Sequence, residues 1–270
     1  VCYLFEQNCP SDRHLCTTAA EHGHYDVLVF ARELMFPWEE ATCEAAAKSS
    51  LACLAFAHQN GCPWDTYTCI AAAGAGRLDC LQYAHQQGCP GDERTCQAAA
   101  RGGHLSCLVF AHENGCLWKV KSMTSVVLCE NIVLSAAGAP TVDCLRYVLE
   151  HGARVRRAAA FNAARARCLQ SLQLLHSKGC PLDKSVCTEA ARVGALDCLR
   201  FLHEQGCPWD KDTYIATFRT ANDVRRETNC GLDEAFDIAD RIEECSEYLK
   251  LHKCPGSHEK YLFHFRYLSV

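Results

Sequence analysis

No apolar run in this sequence approaches the ~20 residues that a membrane helix needs, although 49% of its 270 residues are hydrophobic. Membrane insertion is therefore not expected. An excess of one charge is also missing. The 27 Lys and Arg stand against 32 Asp and Glu, a net charge of −5, which gives no general affinity for nucleic acid. The hydrophobic content excludes a disordered chain. There is no Gly-rich phosphate loop, no Ser-centred elbow and no His-Glu-x-x-His. These absences point away from an enzyme, with no catalytic residue and no cofactor to name. The chain opens on Val1 and, by its spacing, inside a repeat, so its first residues are no guide to a targeting segment.

What is abundant is cysteine, with 22 residues. In a short secreted chain that number signals a disulfide framework. This chain is long and Ala-rich, and its cysteines recur at a fixed period. A free cysteine behaves as a small, readily buried hydrophobe. Most are therefore read as core packing in a reducing, intracellular compartment, the cytoplasm first and an organelle second.

The period is visible in residues 62–88, CPWDTYTCIAAAGAGRLDCLQYAHQQG, and 89–115, CPGDERTCQAAARGGHLSCLVFAHENG. A third copy is 180–206, CPLDKSVCTEAARVGALDCLRFLHEQG. With the first Cys as marker, units begin at Cys9, Phe36, Cys62, Cys89, Cys116, Ala153, Cys180, Cys207 and Cys254, most of them 27 residues apart. Two longer steps mark insertions, about 119–135 and 217–243. Residues 1–8 match the second half of a unit, and 254–270 read as a C-terminal cap. The whole, 1–270, is read as one repeat domain. The marker is one cysteine class. A second lies seven residues later (Cys16, Cys43, Cys69, Cys96, Cys187). A third lies nine residues before the next marker (Cys53, Cys80, Cys107, Cys144, Cys198, Cys245).

Within residues 62–88 the local signals spell two helices. Asp65 is an N-cap whose carboxylate is expected to accept from the Thr68 N–H. Trp64 and Cys69 flank it at hydrophobic-staple spacing, repeated as Trp209 with Tyr214 and Leu182 with Cys187. Ala72 and Ala73 permit close helix approach, and Gly74 and Gly76 stop the first helix. The second covers about Leu78 to Gln86, burying Leu78, Leu81 and Ala84 or His85. Each helix has only ~2–3 turns and is unstable alone. Stacking must supply the core.

Thr95–Gly115, TCQAAARGGHLSCLVFAHENG, resembles an ankyrin repeat: a Thr-initiated first helix, an Ala pair, Gly-His-Leu, a second helix and a closing Glu-x-Gly. The resemblance covers residues 1–216 with one insertion and resumes at 244–255. The unit departs from the usual ~33-residue ankyrin length and lacks the Pro-Leu-His after the Thr. Its Cys-Pro-Trp-Asp form is similar to ankyrin-like families of protists and giant viruses. The resemblance implies an all-α, ankyrin-like α-solenoid of stacked helix–turn–helix repeats, with short loops in place of β-hairpin fingers. It also implies a non-enzymatic protein–protein interaction scaffold.

Other chemistry must be weighed against that reading. His58, His85, His112, His176 and His203 each precede a marker Cys by four residues, and imidazole with thiolate suits zinc. A zinc-stabilised repeat protein is thus one alternative. Against it, a histidine closing each second helix suits the helix dipole, and clustered Cys-x-x-Cys is missing. Disulfides between equivalent cysteines are excluded by a repeat spacing of ~10 Å, whereas cysteines of different classes are able to meet. No cysteine stands out from its copies as a nucleophile should.

Two segments break the pattern. RVRRAAAFNAARAR, 154–167, carries Arg154, Arg156, Arg157, Arg165 and Arg167 without an acid. It reads either as a solvated face or as a grip for an acidic or RNA surface. Residues 233–247 are acidic and read as an amphipathic helix with Ala235, Phe236, Ile238, Ala239 and Ile242 on its apolar side. The tail, KYLFHFRYLSV, caps the last repeat or packs on another subunit. The expected contact residues for a protein partner are Trp64, Tyr67, Arg94, Arg101, Lys184, Arg192, Trp209 and Lys211, the two tryptophans being read first as staples. A second alternative is a structural subunit of a large protein or ribonucleoprotein assembly, anchored by Arg154–Arg167 and the tail.

Overall fold

A computed structural model describes residues 14–116, 126–218, 223, 224, 226 and 231–257, with the side chains of 126–131 and 232 excepted. The half repeat at 1–8, residues 119–125 of the first insertion, residues 219–222, 225 and 227–230 of the second, and the tail KYLFHFRYLSV lie outside the described residues. Every described element is helical, and no strand occurs among the described residues. Consecutive hairpins are joined by short loops such as 60–65. The described residues form two compact units. One runs through Ala136 and includes Asp143–Ala153, and the other comprises Ala137–Val142 and the residues from Arg154 onward.

The first unit contains α1 (Leu15–Glu21), α2 (Tyr25–Glu33), α3 (Glu40–Ser49), α4 (Leu51–Gln59), α5 (Thr66–Gly74), α6 (Leu78–Gln86), α7 (Glu93–Gly102), α8 (Leu105–Glu113), most of α9 (Val126–Ala137) and α10 (Asp143–Glu150). First helices stack on first helices (α1 on α3, α3 on α5, α5 on α7). Second helices stack on second helices (α2 on α4, α4 on α6, α6 on α8, α8 on α10). The reason lies in side-chain size. The first-helix interfaces are lined by Ala19, Ala20, Ala46, Ala47, Ala72, Ala73, Ala99 and Ala100, all buried, so backbones approach closely. A Cβ built on Gly102 would meet the Gly74 carbonyl oxygen at 2.8 Å. The second helices supply bulk instead. Leu28, Leu54, Leu81, Leu108 and Leu145 form one buried row.

The second unit contains α11 (Arg157–Arg165), α12 (Leu169–Ser177), α13 (Lys184–Arg192), α14 (Leu196–Glu204), α15 (Lys211–Ile215) and α16 (Leu232–Leu251). The same rule holds: α11 packs on α13, α13 on α15, α12 on α14 and α14 on α16. The acidic insertion and the last second helix are one helix, α16. Ala235 and Ile242 are buried with Val224, but Phe236 is 57% exposed. Its place on the apolar side is thus corrected: it lies one residue beyond Ala235, about 100° round the helix.

The caps follow the sequence with one adjustment. The Asp65 carboxylate accepts from the Tyr67 N–H at 2.8 Å, not from Thr68, whose N–H bonds the Asp65 carbonyl instead. Asp92 and Asp210 form capping boxes with Thr95 and Thr213. Each second helix closes on a left-handed glycine: Gly61, Gly88, Gly115, Gly152, Gly179 and Gly206. Met35 and Lys253 take that place in their units, at φ 61° and 55°. In α6 the buried residues are Cys80, Leu81 and Ala84; His85 faces outward and Leu78 is half-buried.

The tryptophans go elsewhere than to the expected staple. Trp64 stacks on His58 of the preceding second helix, ring centroids 3.8 Å apart, and Trp209 stacks on His203 at 4.1 Å. At three second helices the terminal histidine meets a tyrosine of the next second helix. His58 Nδ1 lies 3.1 Å from the Tyr83 hydroxyl, His112 Nδ1 3.0 Å from that of Tyr147, and His203 Nδ1 2.9 Å from that of Tyr248.

Candidate partner-binding groove

The first helices α3, α5 and α7 bury a stripe and leave a complementary one outside. In α5, Thr68, Cys69, Ala71, Ala72 and Ala73 face inward. Tyr67, Ile70 and Gly74 follow at the i, i+3, i+7 spacing of the opposite face. In α7 the outward residues include Arg94, Ala98 and Arg101, and in α3 Glu44 and Lys48. The small residues along this stripe leave a hollow between three successive helices. An open groove of about 490 Å³ results, with Lys48, Tyr67, Ile70, Ala98 and Arg101 among its lining residues.

The groove has an apolar floor and charged edges. Tyr67 is 52% exposed although it is a large aromatic. The Arg94 guanidinium sits 5.0 Å from the centre of its ring, a cation–π distance, and is held there by a 2.7 Å ion pair to Asp92. Hydrogen bonds to Asp92 and Tyr67 push the Arg94 pKa up. Glu44 and Lys48 neutralise each other one turn apart at 2.8 Å. Arg101 is exposed and has no ion-pair partner among the described residues.

Of the expected contact residues, Tyr67, Arg94 and Arg101 come together here. Trp64 is half-buried on its histidine. Arg154, Arg156, Arg157, Arg165, Arg167, Lys184, Arg192, Trp209 and Lys211 belong to the second unit, where many are committed internally. Arg157 pairs with Asp183 at 3.3 Å, and Arg165 approaches Glu189 at 3.9 Å. Arg192 donates to Glu189 at 2.7 Å, and Lys184 pairs with Asp210 at 2.8 Å. The basic run therefore does not stand free of acids: the next hairpin supplies them. Asp183 has its pKa held down, first by the Ser185 hydroxyl and also by Arg157. Arg154 and Arg156 are exposed. Arg167 adopts φ 58° where other units place Gly76, Gly103 or Gly194.

Sequence reasoning missed Ile70, Ala98, Glu44 and Lys48. The signal was present: they share the outward i, i+3, i+7 register with Tyr67 and Arg101. Among the described residues no group of three or more His, Cys, Asp or Glu is placed to hold a metal. None of their helices is long and apolar enough to cross a membrane.

No family model matches this chain, and no curated protein matches its sequence. Among solved structures, the ankyrin repeat domain of human ASB11 is similar, with a TM-score of 0.50 and 18% identity, over 62% of this chain and 84% of that one. The pentatricopeptide repeat protein PPR10, solved in complex with an 18-nt psaJ RNA element, aligns with a TM-score of 0.42 and 14% identity, over 94% of this chain and 46% of that one. The fold is an ankyrin-like helical repeat.

Proposed function

We propose that this chain is a non-enzymatic scaffold that seats a segment of a protein partner in the α3–α5–α7 groove. The observation that carries the reading is the apolar floor of exposed Tyr67 with half-buried Ile70 and Ala98, beside Arg101, which has no ion-pair partner among the described residues. A surface of this kind favours an apolar side chain followed by a carboxylate. The apolar group removes Tyr67 and Ile70 from water, and the carboxylate forms a bidentate pair with Arg101. Glu44 and Lys48 cancel locally and set no strong preference of their own. The repeat architecture supports the reading, since successive hairpins line up equivalent outward positions as one continuous surface.

A photo-crosslinking residue at Ile70 of the full chain, followed by mass spectrometry of the native-source lysate, tests it. The adduct should fall about tenfold with Tyr67→Ala or Arg101→Glu, a loss of about 1.4 kcal/mol in affinity. It should persist with Lys211→Glu. Equal adduct yield in all four proteins would remove the groove as the partner site.

A further inference from the structure

The second-class cysteine of one hairpin meets the marker cysteine of the next. Cys187 Sγ lies 3.1 Å from Cys207 Sγ, and Cys207 Sγ in turn donates to the Asp183 carbonyl at 3.2 Å. The arrangement recurs in the first unit. Cys43 Sγ reaches the Cys62 carbonyl at 3.9 Å, and Cys62 Sγ donates to Glu39 O at 3.3 Å. Cys69 stands in the same relation to Cys89, whereas Cys96 Sγ is engaged by the Cys116 backbone carbonyl at 2.9 Å. All eight cysteines are free thiols.

The structure also contains thiols of the same classes without a mate. Cys180 packs against the backbone of Ala160, which stands where the other units have a second-class cysteine. Cys254 packs in the same way against Tyr214. Both donate to a capping-residue carbonyl as the paired markers do: Cys180 to Arg156 O at 3.3 Å and Cys254 to Asp210 O at 3.4 Å. They differ from Cys207 in lacking the second sulfur.

We propose that Cys43/Cys62, Cys69/Cys89 and Cys187/Cys207 are oxidation sites, each closing under a small peroxide into a disulfide that ties one hairpin to the next. The marker thiol reacts first, since in every pair it is the less buried. Cys207 is 7% exposed against 0% for Cys187, and Cys62 and Cys89 are likewise less buried than Cys43 and Cys69. The hydrogen bond donated by the mate holds the Cys62, Cys89 and Cys207 pKa down, which favours the attacking thiolate.

The marker thiolate attacks one peroxide oxygen. The O–O bond breaks, an S–O bond forms, and the departing hydroxide takes a proton as water. The mate's sulfur then attacks the sulfenic sulfur. An S–S bond forms, the S–O bond breaks, and the second oxygen leaves as water with the mate's proton. Two thiols and one hydrogen peroxide thus give one disulfide and two waters, with two electrons passing to the peroxide. The sulfurs close from 3.1 Å to about 2.05 Å, a movement of about 1 Å within one stacked interface.

The full chain is treated with hydrogen peroxide, quenched with a light alkylating reagent, unfolded, reduced and labelled with a heavy one. A parallel unreduced digest is searched for linked peptides. Cys187 and Cys207 should be linked to each other and oxidised about tenfold faster than Cys180 and Cys254, which lack the mate that resolves a sulfenic acid. Cys187→Ala should abolish the linked peptide and leave Cys207 as a sulfenic acid trapped by a dione. Should that variant misfold by circular dichroism, the wild-type map decides alone. Equal rates at Cys207, Cys180 and Cys254 would overturn the proposal. So would bonds joining cysteines of one class, or a trapped sulfenic acid at Cys207 of the wild type without the Cys187 bond.

Discussion

Met35 and Gly88 occupy one backbone position in two different hairpins, and exchanging their chemistries gives stability changes of opposite sign. At φ 61° Met35 is in the left-handed region, where a Cβ costs roughly 1–2 kcal/mol. Its side chain is 75% exposed, so Met35→Gly gives up little packing. The glycine loosens the unfolded chain, which costs about 0.4–1 kcal/mol. Strain relief is the larger effect, and the net is a gain of about 0.5–1 kcal/mol. For Gly88→Ala the arithmetic reverses. A Cβ there meets nothing within 4 Å, so the loss of about 0.5–1 kcal/mol comes from φ alone. Gly179→Ala, equally open at φ 78°, should lose the same amount in the other unit. Urea titration followed by circular dichroism reads these as midpoint shifts at constant slope. A lower midpoint for Met35→Gly, or a higher one for Gly88→Ala, refutes the backbone argument.

Three further outcomes follow from the packing and the charges. Leu108→Ala removes a fully buried side chain from the second-helix row and should cost about 2–5 kcal/mol in urea unfolding. Asp210→Ala deletes a carboxylate that accepts from the Asp212 and Thr213 N–H groups; it should cost about 1 kcal/mol by the same measurement, and Asp210→Asn should restore most of that. The His203 pKa is lowered by burial and by His252, so the folded protein binds fewer protons than the unfolded chain. Its contribution is present above the unfolded pKa of about 6.5 and fades as pH falls below that value. Thermal melting between pH 7 and 5 should decline less steeply in His203→Gln than in the wild type.

Much of the local structure was legible because its causes are local. Asp65, Asp92, Asp183 and Asp210 announce helix starts by capping, and Gly61, Gly88 and Gly206 announce ends by tolerating positive φ. Asp65 thus starts the Thr66–Gly74 helix, and Gly88 closes the Leu78–Gln86 helix where the sequence puts it. Repeating cysteines and alanines announce burial because a small side chain that recurs in every unit has the same environment in every unit. What the sequence left open was the choice of partner across the stack. Trp64 had a plausible neighbour at Cys69 but pairs with His58, one hairpin back. Arg157 and Arg165 had no acid in their own segment and find Asp183 and Glu189 one repeat further on. Phe236 looked buried by type and faces outward by register. The groove of Tyr67, Ile70, Ala98 and Arg101 belongs to no single unit. A repeat length fixes how many hairpins there are and which residues each one buries. Only the packed backbones, through their distance and rotation from one hairpin to the next, decide which side chains come within reach.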